Sequence, residues 1–503
     1  MKTYSATRRR FVQGLAAGGV LAATPAWLQA AVKGATALGS APVLSGREID
    51  LVIAETPVNF TGVTRMATTI NGSIPAPTLR LREGDDVTIR VTNRLPVDTS
   101  IHWHGILLPY QMDGVPGISF KGIAPGETFV YRFKLQQSGT YWYHSHSAFQ
   151  EMTGMYGALI IEPREEKHRA DQDYVVELSD WTDEDPMRAL SKLKVQSDVY
   201  NFNRSTFFDF TDDVSKMGLQ AALEKRQMWN QMRMSPTDLA DLSAATFTFL
   251  MNGTTPAGNW NGLFQRGDRV RLRFINAASN SFYDVRIPGL KLTVIQADGQ
   301  DVEPVTVDEF RFGPGETYDI MVEPQDDAYT IFAQSMERSG YARGTLSVRQ
   351  GLTAPVPEPD SPEWLTMKDM MGAMGGGAMG HDMMKMDSMG QTKMDHSQMS
   401  GGMAMDHSMH GMQQGSDNPL AKPSSTIRHA RTEYGASVDQ RVDTPSTNLD
   451  DPGIGLRNLS QRGLRPQGHR VLTLADLQSI DGVLDDRRPP ARELELHLTG
   501  NME

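Results

Sequence analysis

Residues 71–93 read NGSIPAPTLRLREGDDVTIRVTN, and a second copy of this stretch, NGTTPAGNWNGLFQRGDRVRLRFIN, occupies residues 252–276. Each copy opens with an Asn-Gly turn signal and leads through a Gly-Asp pair into a short run of alternating apolar and polar residues. The runs VTIRV (87–91) and VRLRF (270–274) have the period of two that is typical of a strand with one buried face. The repeat therefore predicts two related β domains.

A second landmark supports the same division of the chain. The tetrapeptide PGET at 125–128 precedes the strand pattern FVYRF, and PGET at 314–317 precedes YDIMV. Short strands separated by Gly and Pro turns favour β-sandwich or Greek-key barrel domains over alternating strands and helices. We therefore predict an all-β fold with a first domain at residues 45–165 and a second at 175–350. The second domain carries a predicted helical insertion at about 181–245.

Two short histidine pairs lie in the first domain, His102 with His104 and His144 with His146. Alternate residues of a strand face the same side, so each pair presents two imidazoles on one surface. One pair could be incidental, because 12 histidines in 503 residues give about 0.3 such pairs by chance. Two pairs in one strand-rich segment favour a metal site, and imidazole suits zinc, copper, iron and nickel.

The second copy of the repeat lacks these ligands. Where the first copy has His102-Trp103-His104, the second has DVR at 284–286. Where the first copy has YHSH at 143–146, the second has FAQS at 332–335. The second domain is therefore predicted to be a scaffold that binds no metal.

Between residues 367 and 412 the composition changes, and just over half of the 29 methionines of the chain fall there. Thioethers select Cu(I) and imidazole accepts both copper oxidation states, so this mixture narrows the metal to copper. We predict a disordered, copper-binding, low-complexity segment at 360–415, followed by a linker at 416–490. The alternative is a flexible linker whose methionines scavenge oxidants. The predicted Cu(I) ligands of this segment are Met394, His396, Met399, Met405, His407, Met409, His410 and Met412.

Near its N-terminus the sequence reads TRRRFVQ at residues 7–13, followed by a short run rich in Gly and Ala. Arg8 and Arg9 with this run predict a twin-arginine signal peptide over residues 1–30, with the export machinery as partner and the periplasm as destination. A membrane anchor is the competing interpretation, but the run is too short to span a bilayer, so no stable membrane span is expected. The formal net charge of −12 argues against nucleic acid and anionic lipid as partners.

Taken together, the leader, HWHG (102–105), YHSH (143–146), LSDWTDEDP (178–186) and the Met-Asp-His repeats resemble the multicopper oxidase family, in its periplasmic copper-resistance type. The resemblance covers nearly the whole chain. It implies tandem cupredoxin-like domains, a copper cofactor, and oxidation of Cu(I) or a phenolic substrate with reduction of dioxygen to water. Copper ions and periplasmic copper chaperones are the further partners that it implies.

The resemblance also assigns roles to the four histidines. His102 would bind the type 2 copper, and His104, His144 and His146 the type 3 pair, which makes half of a trinuclear copper cluster. Asp113 and Glu151 follow the two pairs and are candidates for orienting them, although solvated loop acids are the slightly favoured interpretation.

One departure from the family is as important as the match. The third domain of the family supplies a His-x-x-His-x-His motif and a His-Cys-His motif, and this chain has neither and no cysteine. A blue-copper site needs a thiolate. We expect residues 491–503 to be the first strand of a third cupredoxin domain that is otherwise absent, with His497 as an ordinary strand residue.

Three hypotheses follow from this departure. The leading one is a copper-resistance multicopper oxidase whose chain is incomplete and has little activity alone. The second is a periplasmic protein that sequesters Cu(I) through the Met/His segment without catalysis. The third, weaker one is an enzyme in which another chain supplies the cysteine domain.

Overall fold

The computed structural model describes residues 41–201, 203–231, 235–240, 242–366, 369, 449–480 and 492. In this part of the chain the fold is mostly β, as predicted, and the strands form two sandwiches that follow one another along the sequence. The strands of the first domain are β1 (Val43–Ser45), β2 (Glu48–Val58), β3 (Arg65–Ile70), β4 (Thr78–Arg82), β5 (Asp86–Asn93), β6 (His102–His104), β7 (Thr128–Lys134), β8 (Gly139–His144) and β9 (Tyr156–Glu162).

These strands form a sheet in the order β1-β4-β9-β8-β6 and a sheet in the order β3-β2-β5-β7. Strand β5 contains the predicted VTIRV run, and its apolar residues are buried while the residues between them are half-exposed. Leu51, Ile89, Trp103 and Tyr131 are fully buried members of the core of this domain. The alternation in the sequence therefore sets which face of each strand enters the core.

The second domain repeats the arrangement. Its strands are β10 (Gln172–Thr182), β11 (Phe247–Met251), β12 (Trp260–Leu263), β13 (Val270–Asn276), β14 (Tyr283–Arg286), β15 (Leu292–Ala297), β16 (Gln300–Val307), β17 (Glu309–Phe312), β18 (Thr317–Val322), β19 (Ala328–Ser335) and β20 (Tyr341–Ser347). They form sheets in the orders β11-β10-β13-β18-β15-β16 and β12-β20-β19-β14-β17.

The pairing of the strands confirms the internal repeat. Parallel β2 and β5 correspond to parallel β10 and β13, and antiparallel β5 and β7 correspond to antiparallel β13 and β18. In both domains the PGET turn leads directly into the last strand of that set. The two copies therefore share one topology and differ in what their side chains do.

The helical insertion lies between β10 and β11 and contains α1 (Pro186–Leu193), α2 (Phe207–Met217) and α3 (Leu219–Gln231). Asp185 caps α1 by accepting a hydrogen bond from the Arg188 amide, and Pro186 occupies the first turn, where no amide donor is needed. Ala189 and Tyr200 join the core of the second domain, so the insertion packs there as predicted. No helix of the described residues is long and apolar enough to cross a membrane.

Residues 449–480 pack against the second domain, although they fall within the predicted linker at 416–490. The Leu472 amide donates to the Glu309 carbonyl (2.9 Å), and the Glu303 amide donates to the Gln478 carbonyl (2.8 Å). The Leu472 side chain belongs to the apolar core of that domain. The described part of the predicted linker is therefore a structural part of the second domain, because its apolar and charged side chains find buried partners there.

Candidate metal centre

Strands β6 and β8 bring the two histidine pairs together. They pair antiparallel with His102 directly opposite His144 and Trp103 opposite Tyr143. Trp103 and Tyr143 point into the core and are fully buried, so the histidines of the same strands face the other way. The period of two therefore places the imidazoles on one surface, as the sequence predicts.

The four imidazoles form one cluster. The ring centroid of His102 lies 5.6 Å from that of His104, 5.4 Å from that of His144 and 5.3 Å from that of His146. One ring nitrogen from each of His102, His104 and His144 can be chosen so that all three lie within 4.8 Å of one another. His146 is exposed, with its ring 5.5 Å from that of His144. A metal could therefore be held by nitrogens that already converge.

A loop orients His102. Its Nδ1 lies 2.7 Å from the Asp113 carbonyl oxygen and 3.5 Å from the Asp113 carboxylate. A carbonyl can only accept, so Nδ1 carries the hydrogen and Nε2 keeps its lone pair for a metal. The loop comes this close because Gly114 follows, with φ +79°, and a Cβ there would lie 1.7 Å from the Ile101 carbonyl oxygen.

A carboxylate orients His144. Its Nδ1 lies 2.7 Å from Glu151 Oε2 and 3.0 Å from the Ser145 carbonyl oxygen, so Nε2 is again the nitrogen left for a metal. The preference for a solvated loop acid is therefore wrong for Glu151, whose carboxylate contacts the His144 imidazole, whereas Asp113 orients His102 mainly through its backbone carbonyl. Sequence spacing could not show this, since the two acids reach the cluster through loops.

The Trp142 ring packs against the imidazoles of the cluster. This residue was not identified from the sequence. Its ring stacks on that of His144 at 4.1 Å with an angle of 13°, and lies 5.0 Å from that of His104. The signal was present, because Trp142 lies two residues before His144 and therefore shares its face of β8. A flat aromatic surface there restricts how the two imidazoles can rotate.

The environment of the cluster lowers the pKa of three of its histidines, His102, His104 and His146. Burial and, to a smaller extent, the neighbouring imidazoles of His144, His102 and His146 together lower the pKa of His104 to about 4. Burial also lowers the pKa of His102, and the partial desolvation of His146 by the cluster, together with the nearby His144, lowers the pKa of that imidazole. Neutral imidazole is the form that binds a metal, so the site is prepared for binding at neutral pH.

The second domain closes one side of the cluster. Its PGET turn places Gly315 beside His104, where a Cβ would lie 3.2 Å from His104 Cε1 and 3.8 Å from the Trp142 ring. The corresponding glycine of the first copy, Gly126, would meet nothing within 4 Å. The PGET turn of the first domain therefore leaves open space beside its glycine, whereas the PGET turn of the second domain lies against His104 of the first domain.

Comparison with known proteins gives a consistent result. A family model described as multicopper oxidase matches residues 52–166, and a second model with the same description matches residues 172–351. Copper resistance protein A of Escherichia coli is 50% identical over 99% of this chain and 82% of its own length. The chain belongs to the multicopper oxidase family. Its sandwiches are cupredoxin-like domains, and copper is the cofactor that membership of this family of oxidoreductases implies.

Two further matches complete the comparison. Copper resistance protein A of Pseudomonas syringae pv. tomato is 52% identical over 99% of this chain and 82% of its own length. A laccase structure from Botrytis aclada has a TM-score of 0.49 and 29% identity, covering 64% of this chain and 56% of that chain.

The donor set of this multicopper oxidase fits copper. The Nδ1 of His102 and that of His144 are each hydrogen-bonded, which leaves Nε2 as the nitrogen that can bind a metal, and imidazole nitrogen accommodates both copper oxidation states. The His104 Nδ1 lies 3.3 Å from the His144 Nε2, so nitrogens already face each other at the centre of the cluster. The convergence of uncharged nitrogen donors is the arrangement that a copper ion needs.

The same position in the second domain holds no histidine. Strands β14 and β19 pair antiparallel with Asp284 opposite Gln334, which is the place of His102 opposite His144. Gln334 therefore corresponds to His144, one residue later than the sequence comparison of 143–146 with 332–335 placed it. Asp284 is instead buried between Arg311 (2.6 Å) and Arg338 (2.6 Å). Ion pairs fill this end of the second domain.

Several predictions lie outside the described residues. They concern the signal peptide with Arg8 and Arg9, and the strand at 491–503 apart from Arg492. They also concern the Cu(I) ligands of the Met/His segment, namely Met394, His396, Met399, Met405, His407, Met409, His410 and Met412.

Proposed function

We propose that this multicopper oxidase acts in copper resistance and binds copper through His102, His104, His144 and His146. These four residues form half of a trinuclear cluster in this proposal, with His102 for the type 2 copper and the other three for the type 3 pair. The observation that carries the proposal is the convergence of three imidazole nitrogens within 4.8 Å. Relatives named copper resistance protein A support the physiological role.

The chemistry of the site divides between metal and protein. Bound copper would supply one-electron redox chemistry, with Cu(I) or a phenol as the reductant and dioxygen as the acceptor that becomes water. The residues of this chain would hold the copper and orient its ligands. Asp113 and Glu151 fix the imidazole tautomers, and Trp142 limits rotation of His144. The turn at Gly315 restricts the space beside His104.

We further propose that the 503-residue chain by itself turns over little substrate. Electron entry in this family uses a type 1 copper with a thiolate ligand, and the chain contains no cysteine. The sequence also supports a periplasmic location reached through the twin-arginine route, with copper chaperones as delivery partners.

The test of this proposal is a measurement on the purified chain after copper loading. We expect copper at the strand site with no strong blue absorption, and little oxygen uptake with either a phenol or Cu(I). Strong blue absorption together with oxygen uptake would contradict the need for a thiolate from elsewhere. Absence of copper binding at the histidine cluster would contradict the metal site itself.

Storage of Cu(I) without catalysis is the second candidate function. The near-repeats MDHSQM at 394–399 and MDHSMHGM at 405–412 favour it, because they combine thioether and imidazole donors. It predicts several Cu(I) per chain under anaerobic conditions, and deletion of residues 370–412 should remove them. Unchanged Cu(I) stoichiometry after this deletion would rule the candidate out.

A further inference from the structure

We propose that residues 449–480, called the strap below, form a docked segment that stays bound to the second domain after the chain between residues 369 and 449 is cut. This proposal goes beyond the copper chemistry and does not depend on it. It concerns an interface between two parts of one chain that are distant in sequence.

A buried ion-pair cluster forms the centre of this interface. Arg465 of the strap contacts Glu309 at 2.9 Å and Asp360 at 2.7 Å, and both carboxylates are almost fully buried. His469 of the strap adds a contact of 2.9 Å to Glu309. On the side of the second domain, Arg286 lies 3.3 Å from Glu309 and 3.5 Å from Asp360. If the Arg465 side chain alone were removed, Arg286 would be the one arginine left to face two buried carboxylates.

Backbone pairing and an apolar side chain extend the interface. The strap pairs with the edges of the second domain through bridges between Val471 and Glu309 and between Ser479 and Val302. The Leu472 side chain is 6% exposed and packs in the same core as the strands. Buried charge, backbone hydrogen bonds and apolar contact therefore all act on this one segment.

A second cluster joins the strap to the stretch that precedes the undescribed residues. Arg457 lies 2.6 Å from Asp369 and 2.9 Å from Asp451. Glu363 accepts a hydrogen bond from the Gly455 amide (2.7 Å) and lies 3.1 Å from Arg462. The chain thus leaves the second domain near Asp369 and returns to it near Asp451, at one place. A single cut between these residues leaves both new ends attached.

The energetic argument concerns Arg465. Loss of the Arg465 side chain would leave two carboxylates buried with a missing partner. This destabilises the docked strap strongly, because water does not reach the carboxylates to replace the lost contact. Surface pairs contribute much less. Arg470 of the strap is the comparison, because its half-exposed side chain pairs with Asp476 within the strap and contacts the second domain through a hydrogen bond to the Thr306 carbonyl (3.2 Å).

The experiment inserts a site-specific protease sequence after residue 414 of the full chain and cleaves it completely under native conditions. We expect both fragments to elute together in gel filtration at sub-micromolar concentration. Arg465→Ala should weaken this association by roughly 100-fold or more, while Arg470→Ala leaves it within a few-fold. Separation of the wild-type fragments, or equal effects of the two variants, would overturn the proposal.

Hydrogen exchange of the uncut wild-type protein is a second test, and it stays valid even if the Arg465 variant fails to fold. The Leu472 amide donates to the Glu309 carbonyl, so it should exchange as slowly as the amides of β17. Exchange of the Leu472 amide at the rate of an unstructured peptide would also overturn the proposal, because a docked strap protects its backbone donors.

Discussion

The pair β6–β8 in the first domain and the pair β14–β19 in the second are the same piece of fold with different contents. The first presents imidazoles, of which His102 and His104 have a pKa that burial lowers, and the second presents a carboxylate and guanidinium groups that neutralise each other. Neutral donors with free lone pairs can bind a metal, whereas Asp284 already has two cations as partners. The comparison teaches that the topology provides the position and the side chains alone decide between binding and cross-linking.

The largest expected effect concerns the first of these regions. His104→Ala should weaken copper binding at the strand site by more than about 100-fold, because residues that only orient a ligand already contribute about 10–100-fold. Cu(I) uptake by residues 367–412 should be nearly unchanged. Copper stoichiometry and Cu(II) electron paramagnetic resonance measure both sites. His168→Ala is the matched control, because His168 contacts Asp301 outside the cluster. Equal loss at both sites would contradict the separation of strand site and segment.

The next effect concerns the second region. Asp284→Ala leaves Arg311 and Arg338 without their shared carboxylate and should lower the free energy of unfolding by about 3–5 kcal/mol. Asp327→Ala is the control, because its partner Arg266 is exposed, and it should cost less than about 1 kcal/mol. Denaturant unfolding followed by fluorescence gives both values. Similar costs for the two variants would mean that the buried pairs do not cross-link this end of the domain.

A smaller effect tests how the first region is oriented. Glu151→Gln keeps a hydrogen-bond acceptor for the His144 Nδ1 but removes the negative charge, so copper affinity should fall by about 10–100-fold. Glu55→Gln, an exposed carboxylate of β2 in the same domain, is the control and should have no effect. Competition titration with a copper chelator measures the affinities. Unchanged copper affinity in Glu151→Gln would show that the charge of Glu151 does not help His144 to bind copper.

The smallest effect concerns a buried carboxyl group that only the second copy of the repeat carries. Asn71 accepts a hydrogen bond from the Val52 amide and Asn252 accepts one from the Glu177 amide, so Glu177 stands where the first domain has Val52. Burial raises the pKa of Glu177 to about 8. The folded state therefore keeps this proton to higher pH than the unfolded chain does, and stability falls as pH rises from about 4.5 towards about 8.

Glu177→Gln should remove this contribution to the fall of stability with rising pH. Above pH 8 the variant should be more stable than wild type by about 1 kcal/mol or more. The measurement is the free energy of unfolding at about pH 6 and about pH 9 for both proteins. Parallel pH profiles of the two proteins would contradict the raised pKa. Glu323→Gln, an exposed acid of the same domain, serves as the control.

The sequence predicts the fold well where its periodicity is local. The alternation in 87–91 and 270–274 corresponds to β5 and β13, and the two histidine pairs converge because β6 and β8 are neighbours. The prediction of one buried face is wrong for β13, which is buried on both faces because Arg271 and Arg273 pair with Asp319. Local pattern could not reveal the docking of Leu472 on the second domain. That contact depends on partners far along the chain, which no local pattern in 449–480 specifies.

The same limit explains the errors near the site. Glu151 looks like a loop acid in sequence, and only the return of the loop after β8 brings it to His144. The position of Gln334 differs by one residue from the sequence comparison, because Phe332 was matched to Tyr143 by residue type whereas the register matches it to Trp142. Side-chain similarity is a weaker guide than backbone pairing, which fixes the face of every residue in a strand.

The glycine turn that lies against His104 has a consequence for how this protein can be divided. Gly315 belongs to the second domain, yet its missing side chain leaves room for a ligand of the first. A first domain produced alone would keep all four histidines and lose one wall of their enclosure, so water would reach His104 from that side. The smallest unit that carries the native histidine environment is therefore the pair of domains, even though every ligand is encoded in one of them.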